Sequence, residues 1–266
     1  MAISLREHWF EADGTRLFAV DAGEGPPIVL LHGGLANHLA CWQFAAPLTA
    51  RFRVITPDLR GAGRSRFAGP LTWDLIAGDI PALLRSLDIE RAIVGGISFG
   101  AGAATRVALR HPEVVSALLV LHPAYGGAQL GLTPVQQQAM DAMNAAGSRV
   151  IAQGIEALLP IFDALPPEVR DRVRSVAAAY DPASVAATTA FMASAAQPFA
   201  RGEDLATITA PALLVPGVDP YHPREVSDAF ARYLPHCEVR DATLLELGAV
   251  IARSATVEGC FERRHK

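Results

Sequence analysis

Five short, largely apolar runs set the strongest limit on how this chain can fold. They are Ile28–Leu31, Phe52–Thr56, Ala92–Ile97, Ala117–Leu121 and Ala212–Val215. Each is too short for a helix and lacks strict alternation with polar residues, the pattern of strands covered on both faces. Between them lie stretches such as Leu71–Leu87 and Ala101–Arg110, whose apolar residues recur at three- and four-residue spacing, as in amphipathic helices. Strands alternating with helices build a mostly parallel sheet with helices on both faces. Ahead of this pattern, residues 5–11 and 15–21 alternate and are joined by Ala12-Asp13-Gly14, a hairpin signature.

The rhythm breaks after His122. From Tyr125 to Leu205 no strand-like run occurs, and alanine-rich helical pieces are punctuated by Pro134, Pro160, Pro166-Pro167, Pro182 and Pro198. The expected organisation is a core of residues 1–124 and 206–266, with residues 125–205 inserted as a helical cap over the sheet.

Composition narrows the chemistry. The 266 residues carry 23 basic and 27 acidic side chains, a net charge of −4 with no basic cluster, so a nucleic-acid-binding surface is not expected. Lys266 is the one lysine. Schiff-base chemistry, pyridoxal-phosphate catalysis and a Gly-Lys-Ser/Thr phosphate loop, which need an interior lysine amine, fall away with it. Cys41, Cys237 and Cys260 are widely spaced, which reads as three thiols in a reducing compartment rather than a disulfide framework or zinc site. Arg6, Glu7 and His8 interrupt the N-terminal segment where a signal peptide would be apolar, and no window approaches the roughly 18 apolar residues of a membrane span. A soluble, cytoplasmic protein is expected, without membrane contact, metal or cofactor.

The chemistry gathers at Gly96-Ile97-Ser98-Phe99-Gly100, preceded by an apolar run and followed by Ala101-Gly102-Ala103-Ala104. A serine on a very sharp strand-to-helix turn requires neighbours shrunk to glycine or alanine. Its oxygen then projects at the carboxyl end of the sheet and at a helix N-terminus, where backbone N–H groups stabilise developing negative charge.

With this turn, the chain resembles the α/β-hydrolases over nearly its whole length. His32-Gly33-Gly34 follows a buried strand, as the oxyanion loop does in that family, and the resemblance implies that the backbone N–H groups of Gly34 and Phe99 hold an oxyanion. Trp42 stands where the family often has a tryptophan. Asp58-Leu59-Arg60-Gly61-Ala62-Gly63-Arg64-Ser65 matches the family's Asp-x-Arg-Gly-x-Gly-x-Ser turn, with Asp58 and His32 expected to brace loops rather than catalyse. Asp219, just past the strand Leu213–Val215, stands where the family has its triad carboxylate.

The histidine departs from that pattern. The family carries it in a Gly-His step after the last strand, here expected at Cys237–Ala242, but the chain reads Leu247-Gly248-Ala249-Val250. His265 is next to the C-terminus and a poor candidate. Three explanations stand open: the base has migrated, hydrolytic activity is lost, or position 249 carries a deliberate His-to-Ala substitution. For a migrated base, His222 is the first candidate, three residues beyond Asp219. His122 at the end of a strand and His38 in the loop after the oxyanion glycines follow it. His8, His111 and His236 read as surface or helix-end residues.

The expected pocket lies between the sheet's carboxyl edge and the cap. Trp42, His122, Tyr125, Met143 and Phe191 are the leading lining candidates, with Phe99, Met140, Phe162, Tyr180 and Met192 beside them. The expected activity is hydrolysis of a small to medium carboxylic ester or lactone through Ser98, Asp219 and His222, with a small-molecule substrate as partner and a homodimer admissible. The rivals are a binding protein that lost its base and a cofactor-free lyase or isomerase using the oxyanion hole.

Overall fold

A computed structural model describes residues 3–163 and 167–262. Eight strands form one sheet, in the spatial order β1-β2-β4-β3-β5-β6-β7-β8. The hairpin of β1 (Arg6–Ala12) and β2 (Thr15–Ala22) turns through Asp13 and Gly14. Both have positive φ, at 46° and 68°, as a two-residue turn matched to strand twist requires. β2 pairs antiparallel with β4 (Arg53–Pro57). From there β4, β3 (Pro27–Leu31), β5 (Ala92–Ser98), β6 (Val115–Pro123), β7 (Ala212–Val215) and β8 (Cys237–Val239) run parallel. The strand expected at 237–242 thus ends three residues early, although the Arg240 N–H still donates to the Leu214 carbonyl at 3.0 Å.

Why the central strands read as unbroken apolar runs is visible in how their residues divide. Val29, Leu31, Val94, Leu118, Val120 and Leu214 pack on one face, against α2 (Trp73–Ser86), α3 (Phe99–Arg110) and α7 (Arg224–Tyr233). Ile28, Leu30, Ile93, Leu119, Leu121 and Leu213 pack on the other, against α1 (His38–Ala45), α8 (Leu247–Arg253) and α9 (Ala255–Glu262). Alternate residues face opposite ways along a strand, so a two-sided cover demands apolar residues at every position.

Between β6 and β7 the described residues form helices only: α4 (Pro134–Gln153), α5 (Pro167–Ala177), α6 (Pro182–Ala193) and single 3-10 turns. They share a small core of their own around Val150, Leu158, Phe162 and Val185. Polar ties fasten them to the sheet domain. The Trp73 indole N–H donates to the Ala196 carbonyl at 2.9 Å, the Tyr180 hydroxyl to the Leu35 carbonyl at 3.1 Å, and the Thr188 hydroxyl to the Gly61 carbonyl at 3.1 Å. Among the described residues no helix is long and apolar enough to cross a membrane.

Candidate active site

Ser98 ends β5 and caps α3 with φ 57° and ψ −115°, a left-handed conformation that costs a serine about 1–3 kcal/mol. The flanking glycines explain how the turn closes. A Cβ on Gly96 would fall inside contact distance of the Gly100 carbonyl, and one on Gly100 would strike the Leu31 and His32 carbonyls. The chain passes so close to itself and to the end of β3 that no side chain fits at either position. Gly33 runs alongside, with its Cβ position 3.6 Å from Ser98 Cβ, and that of Gly34 is 3.8 Å from Phe99 Cβ. The backbone of Gly33 and Gly34 and the α3 N-terminus therefore stand side by side next to the serine.

The loop is held by a brace. The Leu59 N–H donates to His32 Nε2 at 3.0 Å, so the ring's proton is on Nδ1 and is donated to the Gly33 carbonyl at 2.7 Å. Burial lowers the His32 pKa and keeps this neutral tautomer. Asp58, fully buried, accepts from the His38 N–H at 2.7 Å, the His38 ring at 2.8 Å and the Arg64 N–H at 2.7 Å. His38 is thus committed to Asp58 and does not reach Ser98. Burial pushes the Asp58 carboxyl up, but these hydrogen bonds outweigh it and hold it below the usual range.

His222 Nε2 lies 2.9 Å from Ser98 Oγ, while its Nδ1 lies 2.8 and 3.0 Å from the two Asp219 oxygens. Both groups sit on one tight turn, Asp219-Pro220-Tyr221-His222, closed by the His222 N–H donating to the Asp219 carbonyl at 3.0 Å. Aspartate first and proline second is the composition such turns favour. Asp219 Oδ1 also accepts the backbone N–H groups of Tyr221 at 2.8 Å and His222 at 3.0 Å. Gly217 lets the turn fold back, since a Cβ there would strike His222. Burial raises the Asp219 pKa, but the hydrogen bonds from His222 and the turn outweigh this, and the carboxyl sits below its ordinary value. The order is hydroxyl, imidazole, carboxylate, the arrangement that lets a serine lose its proton as it attacks.

The other histidines stand apart from this line. His122, with a left-handed φ of 42°, donates from Nε2 to the Ala242 carbonyl at 3.1 Å, and its ring centroid is 6.4 Å from that of His222. Burial, reinforced by His222, lowers its pKa. His265 lies outside the described residues. Ala249 is an exposed residue of α8, the helix on the α1 face of the sheet.

Phe99, the residue after Ser98, packs in an aromatic cluster. Trp73 stacks at 4.8 Å on Phe99 and meets Tyr125 at 5.1 Å and Phe191 at 5.3 Å, edge-on. All four side chains are buried. Tyr125 and Phe191 thus join Phe99, and Met192 Cε lies 2.6 Å from where a Gly34 Cβ would be. Met143 packs at the edge of the same core, whereas Trp42 packs on the α1 face, with its indole N–H buried and unpartnered. Trp73 and Gln136 were not anticipated. The signal for Gln136 was present in Thr133-Pro134-Val135-Gln136, a capping-box sequence; Trp73 carries none beyond being an aromatic residue at a helix start.

Among the described residues no group of three or more His, Cys, Asp or Glu side chains is arranged to hold a metal ion. Burial pushes the Cys41 thiol up to about 12 and the Cys237 thiol up to about 11, so neither offers a thiolate. The Cys260 side chain lies outside the described residues. A cleft of about 780 Å³ opens at the amino ends of β3, β5, β6 and β7, lined by Pro27, Arg91, Val115 and Pro211 among others. It is at the opposite edge of the sheet from Ser98.

Comparison with known proteins agrees with this fold. Residues 26–148 match the family model described as alpha/beta hydrolase fold. The enol-lactonase from Burkholderia xenovorans LB400 superposes with a TM-score of 0.75 over 96% of this chain and 100% of its own, at 21% identity. The chain has the α/β-hydrolase fold. Relatives of this hydrolase-fold chain include the AB hydrolase superfamily protein YisY of Bacillus subtilis, 39% identical over 111 residues, 41% of each chain. Another is the 2-hydroxymuconate semialdehyde hydrolase of Pseudomonas sp. strain CF600, 35% identical over 118 residues, 42% of each chain. These matches thus span less than half the length of the curated relatives.

Proposed function

We propose that the protein hydrolyses a neutral carboxylic ester or lactone through an acyl-enzyme on Ser98. The observation that carries this reading is the single imidazole of His222 bridging Ser98 Oγ and the Asp219 carboxylate. Ser98 Oγ attacks the carbonyl carbon while its proton passes to His222 Nε2, and Asp219 stabilises the imidazolium through Nδ1–H. The carbonyl oxygen becomes an oxyanion received by the N–H groups of Gly34 and Phe99. The C–O bond to the alcohol then breaks, with Nε2–H protonating the leaving oxygen. Water, deprotonated by the same nitrogen, attacks the acyl carbon and releases the acid and Ser98.

The substrate class is argued from the packing beside the serine. Phe99, Trp73, Tyr125, Phe191 and Met192 make that side of Ser98 apolar and aromatic, which suits an uncharged acyl group of small to medium size. The region 125–205 acts in this reading as the cap, since Phe191 and Met192 come from α6. The names of the relatives, an enol-lactonase and a semialdehyde hydrolase, support the hydrolytic class. A pure binding protein has no use for a serine held at φ 57° with an imidazole 2.9 Å from its oxygen.

The test is release of nitrophenol from acetyl and butyryl nitrophenyl esters by the parent, Ser98→Ala and His222→Ala. Turnover in the parent with a loss on the order of 10⁴–10⁶-fold in both variants is expected. Absence of turnover in the parent on esters and lactones alike, together with no labelling of Ser98 by a fluorophosphonate, overturns the proposal.

A further inference from the structure

Acid and base share one four-residue turn, so whatever fixes that turn fixes both against the serine. On its own loop the turn is thinly supported. Val218 is 85% and Tyr221 53% exposed, and the Gly217 N–H donates to Ser227 Oγ at 3.2 Å at its entry. Its third residue is gripped from outside the sheet domain. Gln136, in the first turn of α4 and 1% exposed, donates from Nε2 to the Tyr221 carbonyl at 2.9 Å and to the Ala124 carbonyl at 2.8 Å. Its Oε1 accepts from the Thr133 N–H at 2.9 Å and the Thr133 hydroxyl at 3.2 Å. Every hydrogen-bonding site of the amide is used. One side chain thereby joins the α4 N-terminus, the chain leaving β6 and the turn that carries Asp219 and His222.

We infer that Gln136 is a positioning residue that sets where His222 stands relative to Ser98, coupling α4 to the reacting centre. The inference rests on the Ser98–His222–Asp219 reading of the site. The Tyr221 carbonyl adjoins the His222 peptide, so its release lets the turn swing and both ring contacts lengthen together. The site's demand on geometry is steep, since about 1 Å of misplacement can cost roughly 10²-fold in rate. The hydrogen bonds of the Gln136 amide go to two backbone carbonyls and to Thr133 rather than to Ser98, so substrate affinity should be spared.

The experiment compares the parent with Gln136→Met, Gln136→Asn and Gln137→Ala. Asparagine keeps an amide but is one methylene too short to span the three partners, and it serves if the methionine variant fails to fold. Gln137 ties α4 to α6 through the Ala193 carbonyl at 3.3 Å without touching the turn, and reports general loosening of α4. With a nitrophenyl ester, kcat should fall about 10- to 100-fold in the Gln136 variants, with KM within about threefold of the parent and Gln137→Ala near the parent. A second readout is the downfield proton resonance of His222 Nδ1–H, assigned by its loss in His222→Ala. It should weaken or broaden in the Gln136 variants and persist in Gln137→Ala. Unchanged kcat in an active enzyme, or an equal fall in Gln136 and Gln137 variants, overturns the inference. If the parent turns over neither esters nor lactones and Ser98 is not labelled by a fluorophosphonate, the proposed function fails, and the resonance alone decides whether Gln136 positions the turn: retention in the Gln136 variants refutes it.

Discussion

Asp219→Asn separates the two things this carboxylate does. Asparagine keeps an Oδ1 that can accept the Tyr221 and His222 N–H groups at 2.8 and 3.0 Å, so the turn should survive. The amide NH₂ then replaces Oδ2, which lies 2.8 Å from His222 Nδ1. As a donor it drives the ring proton onto Nε2, and Nε2 then faces Ser98 Oγ as a donor instead of an acceptor. In buried triads this wrong tautomer costs about 10⁴-fold in kcat. Here the Asp219 side chain is 47% exposed, so water competes for Nδ1 and the ring is less firmly held in either tautomer, which softens the loss to about 10³-fold. At 1.36 kcal/mol per tenfold that is about 4 kcal/mol of transition-state stabilisation. The assay is kcat/KM on a nitrophenyl ester, with a thermal melt alongside to show that the fold is intact. A loss under tenfold with an unchanged melt would refute the orienting role of Asp219.

Placing a histidine at 249 should add nothing, because position 249 faces solvent on α8; Ala249→His is expected within twofold of the parent, and His222→Ala should not be rescued by it. Asp79→Ala should cost about 3–5 kcal/mol in denaturant unfolding, because it strands the buried Arg60 guanidinium that Asp79 grips through two nitrogens. The Glu238 carboxylate accepts from Ser254 Oγ at 2.8 Å, the Thr256 N–H at 2.9 Å and Arg240 Nε at 2.8 Å; burial works against ionisation, but these bonds prevail and hold its pKa at about 2. A depressed carboxylate stabilises the fold above its unfolded value, near 4.5, and that contribution drains away as pH falls towards 2. Glu238→Gln should therefore melt below the parent at pH 6 and converge with it as the pH approaches 2.

The sheet and its helices were legible because two-sided burial writes itself into consecutive apolar residues, as at Ile28–Leu31 and Leu213–Val215. The end of β8 was not. Its last residues are exposed at the sheet edge, Val239 at 44%, and an edge position does not demand the same apolar sequence. The serine turn was legible because its glycines answer to backbone collisions that no other residue relieves. His222 could be named as a candidate because it stands three residues beyond Asp219, close enough for the two side chains to meet. What could not be read is that this turn points its imidazole at Ser98, which depends on the stagger of β5, β6 and β7. Trp73 and Gln136 were missed for a related reason. Each acts through partners more than fifty residues away or across an element boundary, Ala196 for one and Tyr221 for the other, and single-chain periodicity carries no record of such pairings.

Sheet order explains why an imidazole on the loop after β7 can reach Ser98. Only β6 separates β5 from β7, so the two strand ends are about 10 Å apart, whereas β8 lies one strand further, about 14 Å away. A histidine after β8 must cross both intervening strand ends, on a loop long enough to do so. A histidine after β7 crosses one, and from the turn that already holds the acid its imidazole meets both partners without a second loop. The end of β6 lies directly beneath this crossing, which is where His122 stands, tied through Nε2 to the Ala242 carbonyl. That bond anchors the chain leaving β8 beside the site, while the Ser98 hydroxyl meets His222 Nε2 at 2.9 Å rather than His122. The loop after β8 therefore needs no catalytic side chain, and alanine at 249 is compatible with a complete hydroxyl–imidazole–carboxylate line.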